Sequence, residues 1–220
     1  GVKSIFGPSM SEYVLGWLLG VERNILQRAT AKRWDVASDR SLVGKRVGIL
    51  GTGSIGRHVA ASCQHFGMHV RGLNTSGSDT ENFNTCFAIA DIACFAEGLD
   101  YLVALLPDTP ETTCMVNAQL LQHLSQGAIF INAGRANCVD VDALMAALVS
   151  GQLRAAVLDV LPQEPLPAEH PWWLVDNLYI TSHTAAPSGI EAVTNIFCDN
   201  YRRFVAGDEL IHKIDFDRGY

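Results

Sequence analysis

Apolar positions recur along this chain in two rhythms. Near the start they fall at three- and four-residue spacing (Met10, Tyr13, Val14, Trp17, Leu18, Val21, Ile25), the period of a helix with one buried face. Ser9-Met10-Ser11-Glu12 reads as a capping box, and Pro8 just ahead of it would block any earlier helix. The pattern therefore predicts a long amphipathic helix over 9–33. Beyond it the rhythm changes to short, nearly continuous apolar runs at 46–50, 69–73, 101–105, 128–132, 155–159 and 179–181. Runs of that kind suit strands buried on both faces of a parallel sheet. Helical segments separate them at 54–66, 118–124 and 141–149, and a last helix over 190–205 stops at Gly207. Residues 82–96 read less clearly, as a short strand or turn followed by a short helix.

Strands alternating with helices predict an α/β fold, a parallel sheet with helices on both faces. The first predicted strand runs into Gly51-Thr52-Gly53-Ser54-Ile55-Gly56, and an amphipathic segment follows (Val59, Ala60, Cys63, Phe66). Strand, G-x-G-x-x-G and helix in that order is what a dinucleotide pyrophosphate needs. Gly51 permits the tight turn, and Gly53 lets the backbone approach the phosphates. Gly56 lets helix and strand pack closely, and the N–H groups of the first helical turn face the anion. An ordinary tight turn between strand and helix is the competing explanation of the same glycines.

Composition narrows the choice. With 48% hydrophobic residues among 220, the chain can bury a substantial core. The net charge of −7 and the lack of a basic cluster argue against a nucleic-acid partner. Six cysteines (Cys63, Cys86, Cys94, Cys114, Cys138, Cys198) show no C-x-x-C spacing. They read as reduced, buried thiols of a cytoplasmic protein, with neither a disulfide frame nor a metal site. No window approaches the ~20 apolar residues of a membrane span, and the opening residues do not form a signal peptide. A start on Gly1, almost directly before a helix, reads as a fragment whose N-terminal part is absent.

Ligands of an open parallel sheet sit outside the carboxyl ends of its strands. Three ionisable residues fall just past predicted strand ends: Arg135, Glu164 and His183. A charge there is costly unless a partner or ligand meets it. Each alone has a plain alternative, as a surface ion pair, a solvated loop carboxylate and a satisfied core histidine. Three at equivalent strand ends is a less accidental arrangement. The loop over 162–177, with four prolines and two tryptophans, is the one long irregular stretch.

With these blocks in view, the chain resembles the D-isomer-specific 2-hydroxyacid dehydrogenases. The likeness rests on the glycine turn, on Leu106-Pro107-Asp108-Thr109 and on Ile131-Asn132-Ala133-Gly134-Arg135. It continues through Leu158-Asp159-Val160 and Glu164-Pro165 to Ser182-His183-Thr184-Ala185-Ala186-Pro187-Ser188, which points to the glyoxylate and hydroxypyruvate reductase branch. The resemblance implies a Rossmann-type doubly wound sheet, with a linking helix over 1–35, the NAD(P)-binding domain over 36–188, and a C-terminal helix and tail over 189–220. It also implies a reaction, the reduction of a small 2-oxo acid to its D-2-hydroxy acid. His183 would give the carbonyl its proton. Glu164 would hold the other imidazole nitrogen and favour the imidazolium, and Arg135 would fix the substrate carboxylate or keto oxygen. Ala133, Gly134 and Asp159 would lie at the nicotinamide end, with Leu106, Pro107 and Thr112 also along the cofactor.

Two departures from the family pattern bear on function. The end of the second strand reads Asn74-Thr75-Ser76, with no carboxylate for the adenosine ribose and no phosphate-binding arginine unless Arg71 turns outward. Neutral hydroxyls and an amide accept a 2′-phosphate better than a carboxylate would, which tilts the choice between NAD and NADP toward NADP. The separate substrate domain of the family also has no room ahead of the linking helix, so the chain is expected to bind nucleotide yet turn over poorly alone. A dinucleotide-sensing, co-repressor-like module is the rival reading. A formate-type dehydrogenase is disfavoured because that branch would carry an amide in place of Glu164. The resemblance implies a homodimer, with the helix bearing Met10 to Ile25 and the Trp172-Trp173 loop as its surfaces; those tryptophans packing on their own domain is the alternative.

Overall fold

A seven-stranded parallel sheet forms the centre of the computed structural model, which describes residues 2–34, 36 and 40–214. Its strands are β1 (Arg46–Leu50), β2 (His69–Asn74), β3 (Thr85–Ala88), β4 (Tyr101–Ala104), β5 (Ala128–Asn132), β6 (Leu153–Leu158) and β7 (Leu178–Ile180). The helices are α1 (Gly7–Glu22), α2 (Ile25–Thr30), α3 (Ser54–His65), α4 (Ile92–Ala96), α5 (Ala118–His123), α6 (Val141–Val149) and α7 (Ile190–Ala206). In space the strands run β3-β2-β1-β4-β5-β6-β7. The chain winds outward from β1 to β3, then returns to lay β4 on the other side of β1. At that switch point the flanking connections diverge and leave a crevice at the strands' carboxyl ends.

Alternating residues divide the core into two layers. Val47 and Ile49 of β1 and Ile129 and Ile131 of β5 pack under α1 (Met10, Val14, Leu18) and α3 (Val59, Ala60, Cys63). Leu50, Leu102 and Phe130 face the opposite layer, under Phe95 of α4, Leu120 and Leu121 of α5, and Leu144 of α6. With both faces covered, β4 and β5 are buried at every position, which is why they read as unbroken apolar runs. The ambiguous stretch over 82–96 resolves into β3, a short 3-10 turn and α4.

The first helix departs from expectation at both ends. It begins at Gly7 with Pro8 inside its first turn, where the missing N–H has no partner to lose, so the proline starts the helix instead of blocking it. Ser11 is buried and its hydroxyl donates back to the Gly7 carbonyl at 2.9 Å, and the capping box expected at Ser9 does not form. Asn24 then adopts a left-handed conformation (φ 49°), which an asparagine tolerates better than most residues. It divides the predicted helix into α1 and α2. At the last turn of α1 the buried Glu22 pairs with Arg154 near the start of β6.

The thiols divide as well. Cys63 and Cys138 are buried, and burial pushes both up to about 12. Cys94 and Cys114 are exposed, contrary to expectation, and all six cysteines are free. The last helix, α7, ends at Gly207 as predicted (φ 77°) but buries none of its residues, and Ile190, Phe197, Tyr201 and Phe204 are exposed. Residue 35, at the expected end of the linking segment, residues 37–39, at the expected start of the nucleotide domain, and the tail over 215–220 lie outside the described residues. Among those described, no helix is long and apolar enough to cross a membrane, and no group of three or more His, Cys, Asp or Glu residues could hold a metal.

Candidate active site

The crevice is organised from the end of β1. Gly51 takes φ +100°, a conformation that L side chains avoid, and its N–H donates to the Leu73 carbonyl at 3.0 Å. A Cβ on Gly56 would sit 2.1 Å from the Gly51 carbonyl oxygen, so only glycine lets α3 start this close to the strand. Above Gly53 there is open space, with nothing within 4 Å of a built Cβ. No side chain caps the N-terminus of α3, so its first-turn N–H groups and positive dipole end remain for an anion. An open cradle over an uncapped helix start fits a pyrophosphate and is more than a tight turn requires.

On the β2 side of this turn the structure places Asn74 as the last residue of the strand. Its side-chain oxygen accepts the N–H groups of Ser76 (3.1 Å) and Gly77 (2.7 Å). Its amide donates to the Ser78 carbonyl (2.9 Å) and to Thr52 Oγ1 in the glycine turn (3.2 Å). The amide expected to meet the ribose is therefore engaged within the loop, while Thr75 and Ser76 are exposed. Arg71 does not turn toward this end. Its guanidinium donates to the carbonyls of Phe95 (3.1 Å) and Glu97 (2.9 Å) at the end of α4 and lies over the Phe87 ring.

After β4, Leu106 is nearly buried and Pro107 opens a loop closed by Thr112. The buried Thr112 hydroxyl lies 2.8 Å from the Pro107 carbonyl and accepts the Thr109 N–H at 3.1 Å. It shapes the loop from inside. After β5, the buried Asn132 folds the next turn: its amide donates to the Arg135 carbonyl and its oxygen accepts the Gly134 N–H, both at 3.1 Å. That turn carries Ala133 and Gly134 inward and leaves Arg135 exposed at the rim, its Nη1 on the Gly134 carbonyl at 2.8 Å.

Asp159, just past β6 and 2% exposed, ties the far end together. One carboxylate oxygen accepts the Thr181 hydroxyl (2.5 Å) and the Thr184 N–H (2.9 Å), and the other accepts the Ala185 N–H (2.9 Å). Its carbonyl takes the His183 N–H at 2.8 Å. These bonds hold His183 at φ +55°, a conformation costing a non-glycine residue on the order of 1 kcal/mol. His183 Nδ1 then meets Glu164 Oε2 at 3.0 Å, while Glu164 Oε1 accepts the Leu161 N–H at 2.8 Å. The bond from His183, that N–H and the nearby charge of Arg135 hold the Glu164 carboxyl below its ordinary range.

The three ionisable residues expected at strand ends thus come off neighbouring strands β5, β6 and β7. Two side chains of this network carried no prediction. Thr181 links Asp159 to the Tyr13 hydroxyl of α1 at 2.7 Å, and burial, chiefly, pushes Tyr13 up to about 12 and keeps it a hydroxyl. Thr181 could have been suspected from its place two residues before His183. Tyr13 reads only as one more core position at helical spacing. Of the paired tryptophans, Trp172 packs against the core beside His170, and Trp173 stays half exposed with its indole N–H on the Pro167 carbonyl.

Residues 15–185 match the family described as D-isomer specific 2-hydroxyacid dehydrogenase, NAD binding domain. A glyoxylate/hydroxypyruvate reductase A from Serratia proteamaculans is 34% identical over 216 residues, covering 96% of this chain and 68% of that protein. A family member of known structure from Aeromonas salmonicida is 43% identical, with a TM-score of 0.92 over 98% of this chain and 71% of the other. The NADPH-dependent glyoxylate/hydroxypyruvate reductase of Sinorhizobium meliloti, solved with NADP and sulfate, is 32% identical with a TM-score of 0.92, covering 100% and 72%.

Proposed function

Because this chain belongs to the D-isomer specific 2-hydroxyacid dehydrogenase family, we propose that it binds NADP in preference to NAD and serves the reduction of a small 2-oxo acid, of the glyoxylate or hydroxypyruvate kind, to its D-2-hydroxy acid. The observation that carries this reading is the His183–Glu164 pair at 3.0 Å, on strand ends beside that of Arg135. Glu164 takes Nδ1, which leaves Nε2 as the nitrogen that hands a proton to a carbonyl oxygen. Arg135 offers a planar fork to the substrate carboxylate, and Asp159 keeps the histidine loop in register. The nicotinamide, when bound, supplies the hydride. Gly51, Thr52, Gly53, Ser54, Ile55 and Gly56 would hold its pyrophosphate, and Ala133 and Gly134 its nicotinamide end. The NADP of the Sinorhizobium relative and the lack of a carboxylate over 74–78 support the choice of nucleotide.

Pairing of two copies through α1 completes the reading. An apolar groove of about 450 Å³ runs along that helix, lined by Tyr13, Gly16, Trp17, Gly20 and Val21, with open space above both glycines. The test is calorimetric titration with NADPH and NADH, followed by oxidation of the bound reduced nucleotide on adding glyoxylate or hydroxypyruvate, with the mass in solution read by light scattering. Saturable binding, oxidation dependent on the 2-oxo acid and a mass of two chains are expected. Binding of neither nucleotide would sink the reading.

A further inference from the structure

α1 contributes a polar group to the histidine end of the crevice. Met10, Val14 and Leu18 of that helix are buried against the sheet. Tyr13 stands at the margin of their stripe, half-buried, its ring edge-on to Trp17 with 6.3 Å between centroids. From there its hydroxyl reaches Thr181, 168 positions away in the chain and just past β7. Counting hydrogens gives the direction of the bonds. Thr181 has one hydroxyl hydrogen, and it goes to Asp159 at 2.5 Å. The 2.7 Å bond to Tyr13 then has the tyrosine as donor, and burial, which chiefly pushes that hydroxyl up to about 12, keeps its hydrogen in place at neutral pH. The result is a chain of one polarity, from Tyr13 to Thr181 to the Asp159 carboxylate. A hydroxyl that accepts a hydrogen bond donates a stronger one, so each bond reinforces the next. Asp159 in turn takes the Thr184 and Ala185 N–H groups, and its carbonyl takes that of His183. His183 sits at φ +55°, a conformation that persists only where the surroundings hold it.

We propose that Tyr13 is a positioning residue for His183: its hydroxyl orients Thr181 on Asp159, and Asp159 fixes the backbone of residues 183–185. It acts through these two residues and not by contact with the reacting atoms. This inference rests on the function proposed above and adds a residue of α1 to its proton-transfer end.

Three substitutions isolate the hydroxyl chain. Tyr13→Phe keeps the ring and removes its hydroxyl; Thr181→Val removes the middle link at nearly equal size, and Thr181→Ser restores it. Amide hydrogen exchange is followed residue by residue by NMR on the wild-type chain and the variants, with circular dichroism to verify folding. In Tyr13→Phe and Thr181→Val the amides of residues 183–185 should exchange about five- to tenfold faster, the worth of one hydrogen bond, with those of β1 and β5 unmoved. Thr181→Ser should exchange as the wild type does. In turnover, kcat for the oxidation of NADPH by glyoxylate should fall about fivefold or more in Tyr13→Phe, with KM and the NADPH dissociation constant unchanged. Exchange unmoved at 183–185, equal acceleration throughout the sheet, a Thr181→Ser variant that behaves as Thr181→Val does, or an unchanged kcat overturns this inference alone. A wild-type chain that oxidises no NADPH overturns the proposed function, and exchange, which needs no turnover, then decides by itself whether Tyr13 holds the loop.

Discussion

At the β6 end of the crevice a buried aspartate, Asp159, holds the loop that carries His183; at the β2 end an asparagine, Asn74, holds the loop proposed to face the ribose. Both are Asx residues at a strand end with side chains turned onto backbone N–H groups. Their reach differs. Asn74 binds residues two to four positions on, as a local turn does, apart from its one bond back to Thr52. Asp159 gathers Thr181, Thr184 and Ala185, 22 to 26 positions on, and so joins β6 to the end of β7. Their charge differs for the same reason. A buried carboxylate with three donors is well satisfied and strong, whereas a negative charge at the β2 end would face a phosphate. One device thus fixes the loop of His183, the proposed proton donor, at one end and a neutral loop, proposed to face the ribose, at the other.

The sharpest way to break this comparison is to remove the histidine. His183→Ala should lower kcat for 2-oxo acid reduction by about 100- to 10,000-fold while leaving the NADPH dissociation constant unchanged. Loss of nucleotide binding in that variant would mean the two ends are not separable. A smaller effect compares the two anchors in stability. Asp159→Ala leaves one hydroxyl and two N–H groups without their charged acceptor and should cost about 3 kcal/mol in urea unfolding. Asn74→Ala, at a half-exposed site with neutral bonds, should cost about 1 kcal/mol. Equal costs would erase the distinction drawn here.

The smallest effect concerns Glu164. Its carboxyl titrates lower in the folded chain than its ordinary value of about 4.3. The pair with His183 therefore adds stability that is fully present above that value and is lost as pH falls through the lowered native one. Both side chains are well exposed, so the contribution should stay under about 1 kcal/mol. Glu164→Gln should flatten this acid-side slope of unfolding free energy against pH, and an unchanged slope would assign it to other carboxylates.

Much of the fold is legible in the sequence because burial on two faces writes itself as continuous apolar runs; β1 and β5 lie at the predicted residues. The glycine turn is legible because its geometry excludes side chains. What stays hidden is the work of short polar side chains. Asn74, Thr112 and Asp159 are expected beside the cofactor and Asn132 falls within a family block, yet each turns onto its own chain, and only the folded loop shows which N–H groups come within reach. The start of α1 misreads for a related reason. Ser9-Met10-Ser11-Glu12 has the right letters for a cap, but Pro8 is equally suited to the first helical turn, and packing of the apolar face sets the start two residues earlier.

The tie from Tyr13 to Thr181 has one more consequence. α1 is fastened to the sheet twice, by Tyr13 at the carboxyl ends of the strands and by Glu22 on Arg154 at the opposite ends, about 14 Å along the helix axis. A helix held only by apolar ridges can roll or slide a fraction of a turn at little cost. Two polar tethers at opposite margins of the sheet remove that play, and the seating of α1 passes through Thr181 and Asp159 to the histidine backbone. On the role proposed for His183, slack in either tether would become drift of its imidazole, and a drift of about 1 Å is enough to slow a well-aligned transfer roughly a hundredfold.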